Sequence, residues 1–244
     1  MSLIKHDYDE FEIFTDFLTN LSTTARIGIF LETIAAVRSI GSASFQMCLQ
    51  SLLTGPRLRS NIMLYLPMTN DQLQNLTVGG TFYTGYFSFP TRDPGVLTDG
   101  AFGGDCCILA VSLTPGNYSI LPLDAISPRG GKEIMIPPGT FRVQDKEMVK
   151  FGDLERQIYY VTFLPDTEGY LHQYLIRSHS DLENEIYNIF VAYVKENIYK
   201  RALEGVSIKS ICSLRELTRL DTLTDEICDI DDEVVKIIDS NLAQ

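Results

Sequence analysis

Apolar residues recur at helical spacing in two stretches near the start of the chain. Hydroxyl residues at 22–24 precede apolar positions that recur every three or four residues over 27–40, and Gly41 can end this helix. Ser42 can cap a second helix, which Gly55 and the following proline end. Because apolar stripes of this kind are typical of a protein core, the pattern predicts buried N-terminal helices within residues 1–55 that have no chemical role.

Beyond Gly55 the pattern changes to short β-like runs that turn residues separate. The runs lie at residues 62–66, 81–87, 108–113, 118–121, 134–136, 140–143 and 158–164. The charged stretch at 145–157 predicts a loop before the last strand. Several short strands without long helices between them are typical of a mostly antiparallel sheet or two-sheet sandwich. The sequence therefore predicts an α+β fold with a β core over 56–174.

From Ser180 onwards the pattern is helical again. Ser180 and Glu183 have the spacing of a capping box, and apolar residues recur on one face as far as Leu203. Residues 211–244 carry nine acidic and three basic side chains. We therefore expect a first domain over 1–174 and an acidic C-terminal helical extension over 175–244. The extension either packs on the core or docks on a basic partner.

Composition and charge exclude several classes of function. The chain has 244 residues, 45% of them hydrophobic, and a formal net charge of −12, which argues against nucleic acid as a partner. Its three histidines fit no metal spacing, so we expect no metal. Its five cysteines form no CxxC pair, which favours reduced thiols. We expect neither a membrane span nor a signal peptide, and hence a protein that is cytoplasmic or is delivered into a host cytosol.

One carboxylate stands at the edge of a predicted strand. Glu133 follows a glycine-rich loop at 128–131, precedes three apolar residues and is followed by the turn-forming Pro137-Pro138-Gly139. A side chain at such an edge can be held by the sheet while the loop before it moves. Taken alone, the same pattern is that of an exposed surface glutamate.

Read in order, several motifs resemble the mono-ADP-ribosyltransferase family. The similarity is to its Arg-Ser-Glu class, which includes binary-toxin enzymatic components and phage enzymes. The matching segments are Ser51-Leu52-Leu53 with Pro56, Asn61-Ile62-Met63-Leu64-Tyr65, Val78-Gly79-Gly80-Thr81-Phe82, Gly85-Tyr86-Phe87-Ser88, Ile108-Leu109-Ala110-Val111 and Glu133-Ile134-Met135-Ile136-Pro137-Pro138-Gly139-Thr140-Phe141-Arg142-Val143. The last of these is the most specific, while residues 175–244 match nothing.

The resemblance implies a reaction as well as a two-sheet fold. NAD would be the substrate, and its ADP-ribose would pass to a protein acceptor. Glu133 would be the catalytic carboxylate that stabilises the positive charge on the ribose, as in glycoside cleavage. Ser88 would orient Glu133 and help to hold the nicotinamide ribose.

The same resemblance implies further binding residues. Phe87 and Phe89 would pack against the nicotinamide, and Tyr65 would belong to the NAD site. Gly131 and Lys132 would belong to a loop that faces the acceptor.

Three positions depart from the family's pattern, so the active-site motif is degenerate. Leu66 stands where the family has an arginine that binds the NAD phosphates, and a leucine cannot make that contact. Ser88-Phe89-Pro90 keeps one hydroxyl of the Ser-Thr-Ser motif, and Gly131 replaces the residue that positions the acceptor. Two alternatives to a transferase therefore stay open. One is a pseudoenzyme that serves as a binding or structural component, either a toxin domain or a viral or assembly protein. The other is an enzyme that hydrolyses NAD with water as the acceptor.

Overall fold

The helices lie at the two ends of the described chain. The computed structural model describes residues 4–33, 41–69, 73, 76–99, 106–124, 126, 132–166 and 178–203. Within these residues the helices are α1 (Ile4–Thr19), α2 (Thr23–Thr33), α3 (Ala43–Thr54) and α4 (His179–Leu203). The two helices predicted near the start correspond to α2 and α3, although positions 34–40 lie outside the described residues. The pattern did not predict α1, in which acidic residues interrupt the apolar stripe that carries the buried Phe14.

Serine side chains begin two of the helices. The Ser42 hydroxyl accepts a hydrogen bond from the Phe45 N–H at 3.2 Å, which confirms the predicted cap of α3. The predicted cap of α4 is wrong by two residues. Ser178 accepts from the Asp181 N–H at 3.3 Å and donates to the Asp181 carboxylate at 2.6 Å. A serine followed three positions later by an acidic residue occurs twice here, once from Ser178 and once from Ser180. Spacing alone therefore could not decide which serine caps the helix.

The described strands form a main sheet of five strands and a small sheet of two. Their bounds are β1 (Ile62–Thr69), β2 (Thr81–Thr84), β3 (Cys106–Leu113), β4 (Leu121–Pro122), β5 (Ile134–Met135), β6 (Gly139–Phe151) and β7 (Leu154–Pro165). The main sheet has the order β1-β3-β7-β6-β2, and the small sheet pairs β4 with β5. Only the β3–β7 pair in these sheets is parallel. The predicted α+β class with a two-sheet, mostly antiparallel β core is confirmed.

The predicted loop at 145–157 is wrong. β6 and β7 form a long hairpin in which pairing continues from Asp145 opposite Tyr160 to Phe151 opposite Leu154. Gly152 makes the turn with a φ of 64°, a conformation that favours glycine. Residues 144–148 of β6 are all exposed, so neither face of this part of the strand has to be apolar. Without a buried face, the two-residue period that marks a strand is absent from the sequence.

The core fills one face of the main sheet. Phe141 on β6 stacks on Phe82 with ring centroids 4.9 Å apart and lies 5.0 Å from the ring of Phe163 on β7. Ile134 and Ile136, the apolar residues that follow Glu133, belong to the same buried cluster. The strand that carries Glu133 is therefore fixed by the core on one side.

The chain divides into two compact units. The first takes its described residues from Met1–Leu21, Leu49–Asp124 and Gly130–Ile176, and it contains both sheets. The second takes its described residues from Ser22–Cys48, Ala125–Arg129 and Arg177–Gln244. The boundary predicted at 174/175 stays a prediction, and residues 204–244 of the predicted extension lie outside the described residues.

Aromatic packing and a buried polar pair characterise the second unit. Phe30 of α2 meets Phe190 of α4 edge to face, with ring centroids 6.2 Å apart. The Ser44 hydroxyl donates to the carboxylate of Glu32 at 2.5 Å, and both residues are buried. Burial raises the pKa of the nearby Cys48 thiol, and the charge of Glu32 adds to that increase.

Candidate functional site

Glu133 lies where three extended segments pair. On one side the Ile134 N–H donates to the Pro90 carbonyl at 2.8 Å, and on the other the Leu123 N–H donates to the Glu133 carbonyl at 2.8 Å. Glu133 itself is half-buried. Its backbone is thus held by hydrogen bonds to neighbouring segments on both sides, as expected for a carboxylate at a strand edge.

Thr91 lies directly opposite Glu133. Single β-bridges pair Thr91 with Glu133 on one side and with Tyr65 of β1 on the other. The second bridge is closed by two 2.8 Å hydrogen bonds between the backbones of Tyr65 and Thr91. Residues directly opposite each other in antiparallel segments share a face of the sheet. Tyr65, Thr91 and Glu133 therefore form one cross-strand row, here called the Glu133 row.

Ser88 lies further along the same pair of segments. It pairs with Ile136 through backbone hydrogen bonds of 3.3 and 3.0 Å, three positions away from the pair that contains Glu133. Ser88 is only 7% exposed, and its partner Ile136 is in the core. In this register the hydroxyl residue opposite Glu133 is Thr91 rather than Ser88. Sequence reasoning missed Thr91 because the pairing of two short segments so far apart in the chain cannot be read from their own residues.

The Thr91 hydroxyl holds the peptide before Glu133. It donates to the Lys132 carbonyl at 3.3 Å and accepts from the Asp93 N–H at 3.0 Å. The Arg92 N–H reaches the same Lys132 carbonyl at 3.0 Å. The side chain of Thr91 therefore acts on Glu133 through the backbone.

The chain after Thr91 covers part of the same sheet face. This stretch, called here the 92–99 segment, contains a 3-10 helix at Pro94–Leu97 that Asp93 caps by accepting from the Gly95 N–H at 2.9 Å. Val96 is buried and packs with Leu97 against Tyr65 and the start of β3. The bond from Gly95, together with Lys132, holds the pKa of Asp93 below its usual value.

The cations that directly adjoin Glu133 and Thr91 in the sequence, Lys132 and Arg92, are paired with carboxylates. Lys132 contacts Asp93 at 2.9 Å, and Arg92 contacts Asp124 at 2.8 Å. Arg92 also lies over the ring of Phe11, 5.1 Å from its centroid. These contacts join the 92–99 segment to the strand of Glu133 and to the chain after β4.

A buried arginine fixes the far end of the 92–99 segment. Arg156 of β7 is 1% exposed and donates from Nη2 to the Asp99 carbonyl. Its Nε and Nη1 atoms have no hydrogen-bond partner among the residues that the structure describes. Because β7 lies two strands beyond β1 in the sheet, Arg156 is remote from Glu133.

The other predicted site residues have different surroundings. Phe87 is buried and Phe89 is half-buried, and the register places Phe89 on the face of Glu133. Leu66 packs against the core cluster, on the opposite face from its neighbour Tyr65. Lys132 is exposed, while Gly131 lies outside the described residues.

Over the described ranges the chain shows neither a metal-ligand cluster nor a membrane-spanning helix. Among these residues no group of three or more histidine, cysteine, aspartate or glutamate side chains could hold a metal ion. No described helix is both long and apolar enough to cross a membrane.

Solved structures with a similar fold are ADP-ribosyltransferase toxins. Plx2a, an ADP-ribosyltransferase toxin from Paenibacillus larvae, is similar with a TM-score of 0.51 at 13% identity, over 63% of this chain and 92% of that one. The chain has the ADP-ribosyltransferase fold. The enzymatic component C2-I of the C2-toxin from Clostridium botulinum is similar with a TM-score of 0.52 at 10% identity, over 64% of this chain and 46% of that one. No protein-family model and no curated protein sequence matches the chain.

Proposed function

We propose that this chain is a divergent transferase of the Arg-Ser-Glu class that moves ADP-ribose from NAD to a protein acceptor. The observation that carries the proposal is the Glu133 row, which combines a backbone-fixed carboxylate with Thr91 and Tyr65 on one sheet face. Among the toxins that share the fold, Plx2a is an ADP-ribosyltransferase toxin and C2-I is the enzymatic component of the C2-toxin. Fold alone does not fix activity, so the proposal rests on the site.

In the proposed reaction the bond between nicotinamide and ribose breaks and nicotinamide leaves with the bonding electrons. Positive charge develops on the ribose, and the carboxylate of Glu133 stabilises it where it forms. An acceptor nucleophile then bonds to the ribose carbon and loses its proton. A carboxylate that is already fixed needs no reorganisation when the charge develops. We assign to the backbone hydrogen bonds around Glu133 the role of fixing it.

We assign the remaining residues by position. Thr91 holds the peptide before Glu133, and Tyr65 borders the bound ribose. Phe89, which shares the face of Glu133, and the buried Phe87 pack against the nicotinamide. Ser88 competes with Thr91 for the role of supporting Glu133, because the family motif predicts that role for Ser88.

We further propose that the acceptor contacts the chain near Gly131 and Lys132. Lys132 is exposed and directly precedes Glu133, which supports this position. Cys48, Cys106 and Cys107 are buried free thiols, in keeping with a reducing cytosol of the cell itself or of a host. We expect NAD as the substrate and no metal.

A specific observation favours the second candidate, a pseudoenzyme that binds or assembles without chemistry. Leu66 stands where the family's phosphate-binding arginine is expected and packs against the core cluster, while Arg92 and Lys132 are paired with Asp124 and Asp93. A phosphate that drew on Arg92 or Lys132 would have to break one of these ion pairs. Losing the arginine costs about 2 to 5 kcal/mol of binding, which is more than tenfold in affinity.

Calorimetric titration with NAD, combined with nicotinamide release, tests the two candidates. For a transferase we expect NAD binding and cleavage that Glu133→Gln abolishes without loss of binding. Glu155→Gln, an exposed glutamate of β7 outside the row, is the matched control and should change neither property. Cleavage with water alone would indicate the hydrolase. If the unmodified chain does not bind NAD and Leu66→Arg creates binding, the pseudoenzyme is correct and the transferase is refuted.

A further inference from the structure

The outer half of β6 has an open edge. The strand has 13 residues, whereas β2 pairs only with Gly139–Arg142. The chain before β2 reaches one residue further, where the Gly79 N–H donates to the Val143 carbonyl at 2.9 Å. Beyond Val143, no described strand pairs with β6 on the side away from β7. Residues 144–148 are all exposed, so a partner can reach this edge.

The turn of the hairpin determines which backbone groups face the open edge. A two-residue turn at 152–153 joins the strands, so the flanking Phe151 and Leu154 exchange backbone hydrogen bonds. Because such pairs alternate along antiparallel strands, every second residue back from Phe151 turns its N–H and C=O groups toward β7. The residues between them turn theirs outward, and these are Lys146, Met148 and Lys150. The Asp145 carboxylate accepts from the Lys146 N–H at 2.8 Å, which leaves the Lys146 carbonyl and both groups of the other two residues for a partner.

The three outward residues also share one face of the strand, since their side chains alternate with those between them. Met148 is 57% exposed, and both lysines are exposed. Lys146 Nζ donates to the Leu76 carbonyl at 3.5 Å, and Lys150 lies opposite Glu155 of β7. Neither lysine forms an ion pair within the part of the chain that the structure describes. The edge therefore presents two cations that no contacting carboxylate neutralises, with an apolar side chain between them.

We propose that the outer half of β6 binds an acidic segment of a partner protein, which adds to the sheet as an extra strand. Open sheet edges bind extended segments through backbone hydrogen bonds, and alternate side chains give specificity. The segment that fits has two acidic residues four positions apart, opposite Lys146 and Lys150, and an apolar residue between them opposite Met148. Opposite charges directly across two strands stabilise the pairing. This interaction goes beyond the proposed transfer reaction and does not require NAD.

A second copy of this chain fits the same edge poorly. Two copies of β6 that pair antiparallel through all three outward residues are centred on Met148. This register places Lys146 directly opposite Lys150 of the other copy, and like charges in that position destabilise a pair of strands. Lysine on an edge strand is a common protection against such self-pairing. The charge pattern therefore selects against a copy and in favour of an acidic segment.

Titration with synthetic peptides, followed by fluorescence anisotropy, tests the proposal. The probe Thr-Glu-Thr-Val-Thr-Glu-Thr has the required spacing in both chain directions, and Thr-Lys-Thr-Val-Thr-Lys-Thr reverses its charge. We expect only the acidic peptide to bind, with an affinity that falls as salt screens the exposed charges. N-methylation of the valine blocks an N–H that would pair with β6 and should weaken binding by about tenfold. N-methylation of a threonine beside it, whose N–H points away from β6, is the matched control and should leave binding unchanged.

Substitutions in the chain separate the charges from the backbone. Lys146→Gln and Lys150→Gln should each weaken binding by about 1.5- to fivefold, the range for one exposed ion pair. Arg57→Gln removes an equal charge from an exposed position outside β6 and should have no effect. Met148→Pro removes an outward N–H, so it should weaken binding by about tenfold while circular dichroism shows an intact fold. Val149→Pro removes an inward N–H and should instead lower the melting temperature.

The outcomes distinguish an acidic partner from other occupants of the edge. Binding of the acidic peptide that requires both lysines and the valine N–H supports the proposal. Equal binding of the basic peptide, or full binding by Met148→Pro, overturns it. A dimer of the unmodified chain that Met148→Pro dissociates shows that a second copy occupies the edge, which also overturns the proposal. If Met148→Pro does not fold, the two N-methylated peptides decide the question in its place.

Discussion

Replacing Thr91 by valine should loosen the strand that carries Glu133. The substitution keeps the branched shape and removes a hydroxyl that makes hydrogen bonds of 3.3 and 3.0 Å to the Lys132 carbonyl and the Asp93 N–H. Each bond contributes about 0.5 to 1.5 kcal/mol net. Because Thr91 is half-buried, water can replace part of these two hydrogen bonds. We therefore expect the free energy of unfolding to fall by about 1 to 2 kcal/mol. At about 2 to 4 °C per kcal/mol for a chain of this size, the melting temperature should fall by about 2 to 8 °C.

The same variant should also slow NAD cleavage if the chain is a transferase. A displacement of about 1 Å at a catalytic group can cost about a hundredfold in rate, so we expect kcat/KM to fall by about ten- to a hundredfold. Thr91→Ser restores the hydroxyl and should restore both properties. Ser88→Ala is the decisive comparison, assayed by calorimetric melting and by nicotinamide release. If Ser88→Ala loses cleavage while Thr91→Val matches the unmodified chain, the register argument is wrong and the motif assignment is correct.

Three other substitutions test separate parts of the fold. Gly139→Ala would place a Cβ atom 2.5 Å from the Leu164 carbonyl oxygen, so chemical denaturation should show a loss of about 1 to 3 kcal/mol. Ser44→Ala leaves the buried Glu32 carboxylate without one donor, and denaturant titration should show a cost of about 1 to 3 kcal/mol. The pKa of Asp93 is lowered from 3.8, so its stabilising contribution is complete above pH 3.8 and is lost as the pH falls through the lower folded value. Melting curves of Asp93→Asn and the unmodified chain should therefore differ near neutral pH and begin to converge only as the pH falls below about 3.8.

The sequence was informative wherever burial requires apolar residues. The strand predicted at 108–113 lies within β3, seven of whose eight residues are buried. The outer half of β6 was missed because residues 144–148 are exposed on both faces, which removes the alternation. The helix α1 was missed for a related reason, since acidic residues lie between the few apolar positions that it buries.

The positions of the candidate site residues could be predicted only in part from the sequence. Local signals, namely a glycine-rich loop before Glu133 and an apolar strand after it, predicted its position at a strand edge, whereas its catalytic role is a prediction from the family resemblance. The position of Thr91 opposite Glu133 depends on the pairing register of two segments about forty residues apart, which only the assembled sheet defines. The family motif directed attention to Ser88, three positions away. Leu66 illustrates the converse, because its departure from the family's motif was predicted from the sequence while its packing against the core cluster was not.

The position of β7 sets the order in which the protein can be built. In the sheet order β1-β3-β7-β6-β2, the hairpin of the last two strands inserts between strands made earlier. Residues as far apart as Ile108 and Ile158 must meet before β3 and β7 pair. Bringing such distant segments together costs chain entropy before their contacts form, so we expect folding to be slow. A nascent chain that emerges from the ribosome cannot complete the sheet until residue 165 has been made. During synthesis the edges of β3 and β2 remain open to chaperones, proteases and other nascent chains.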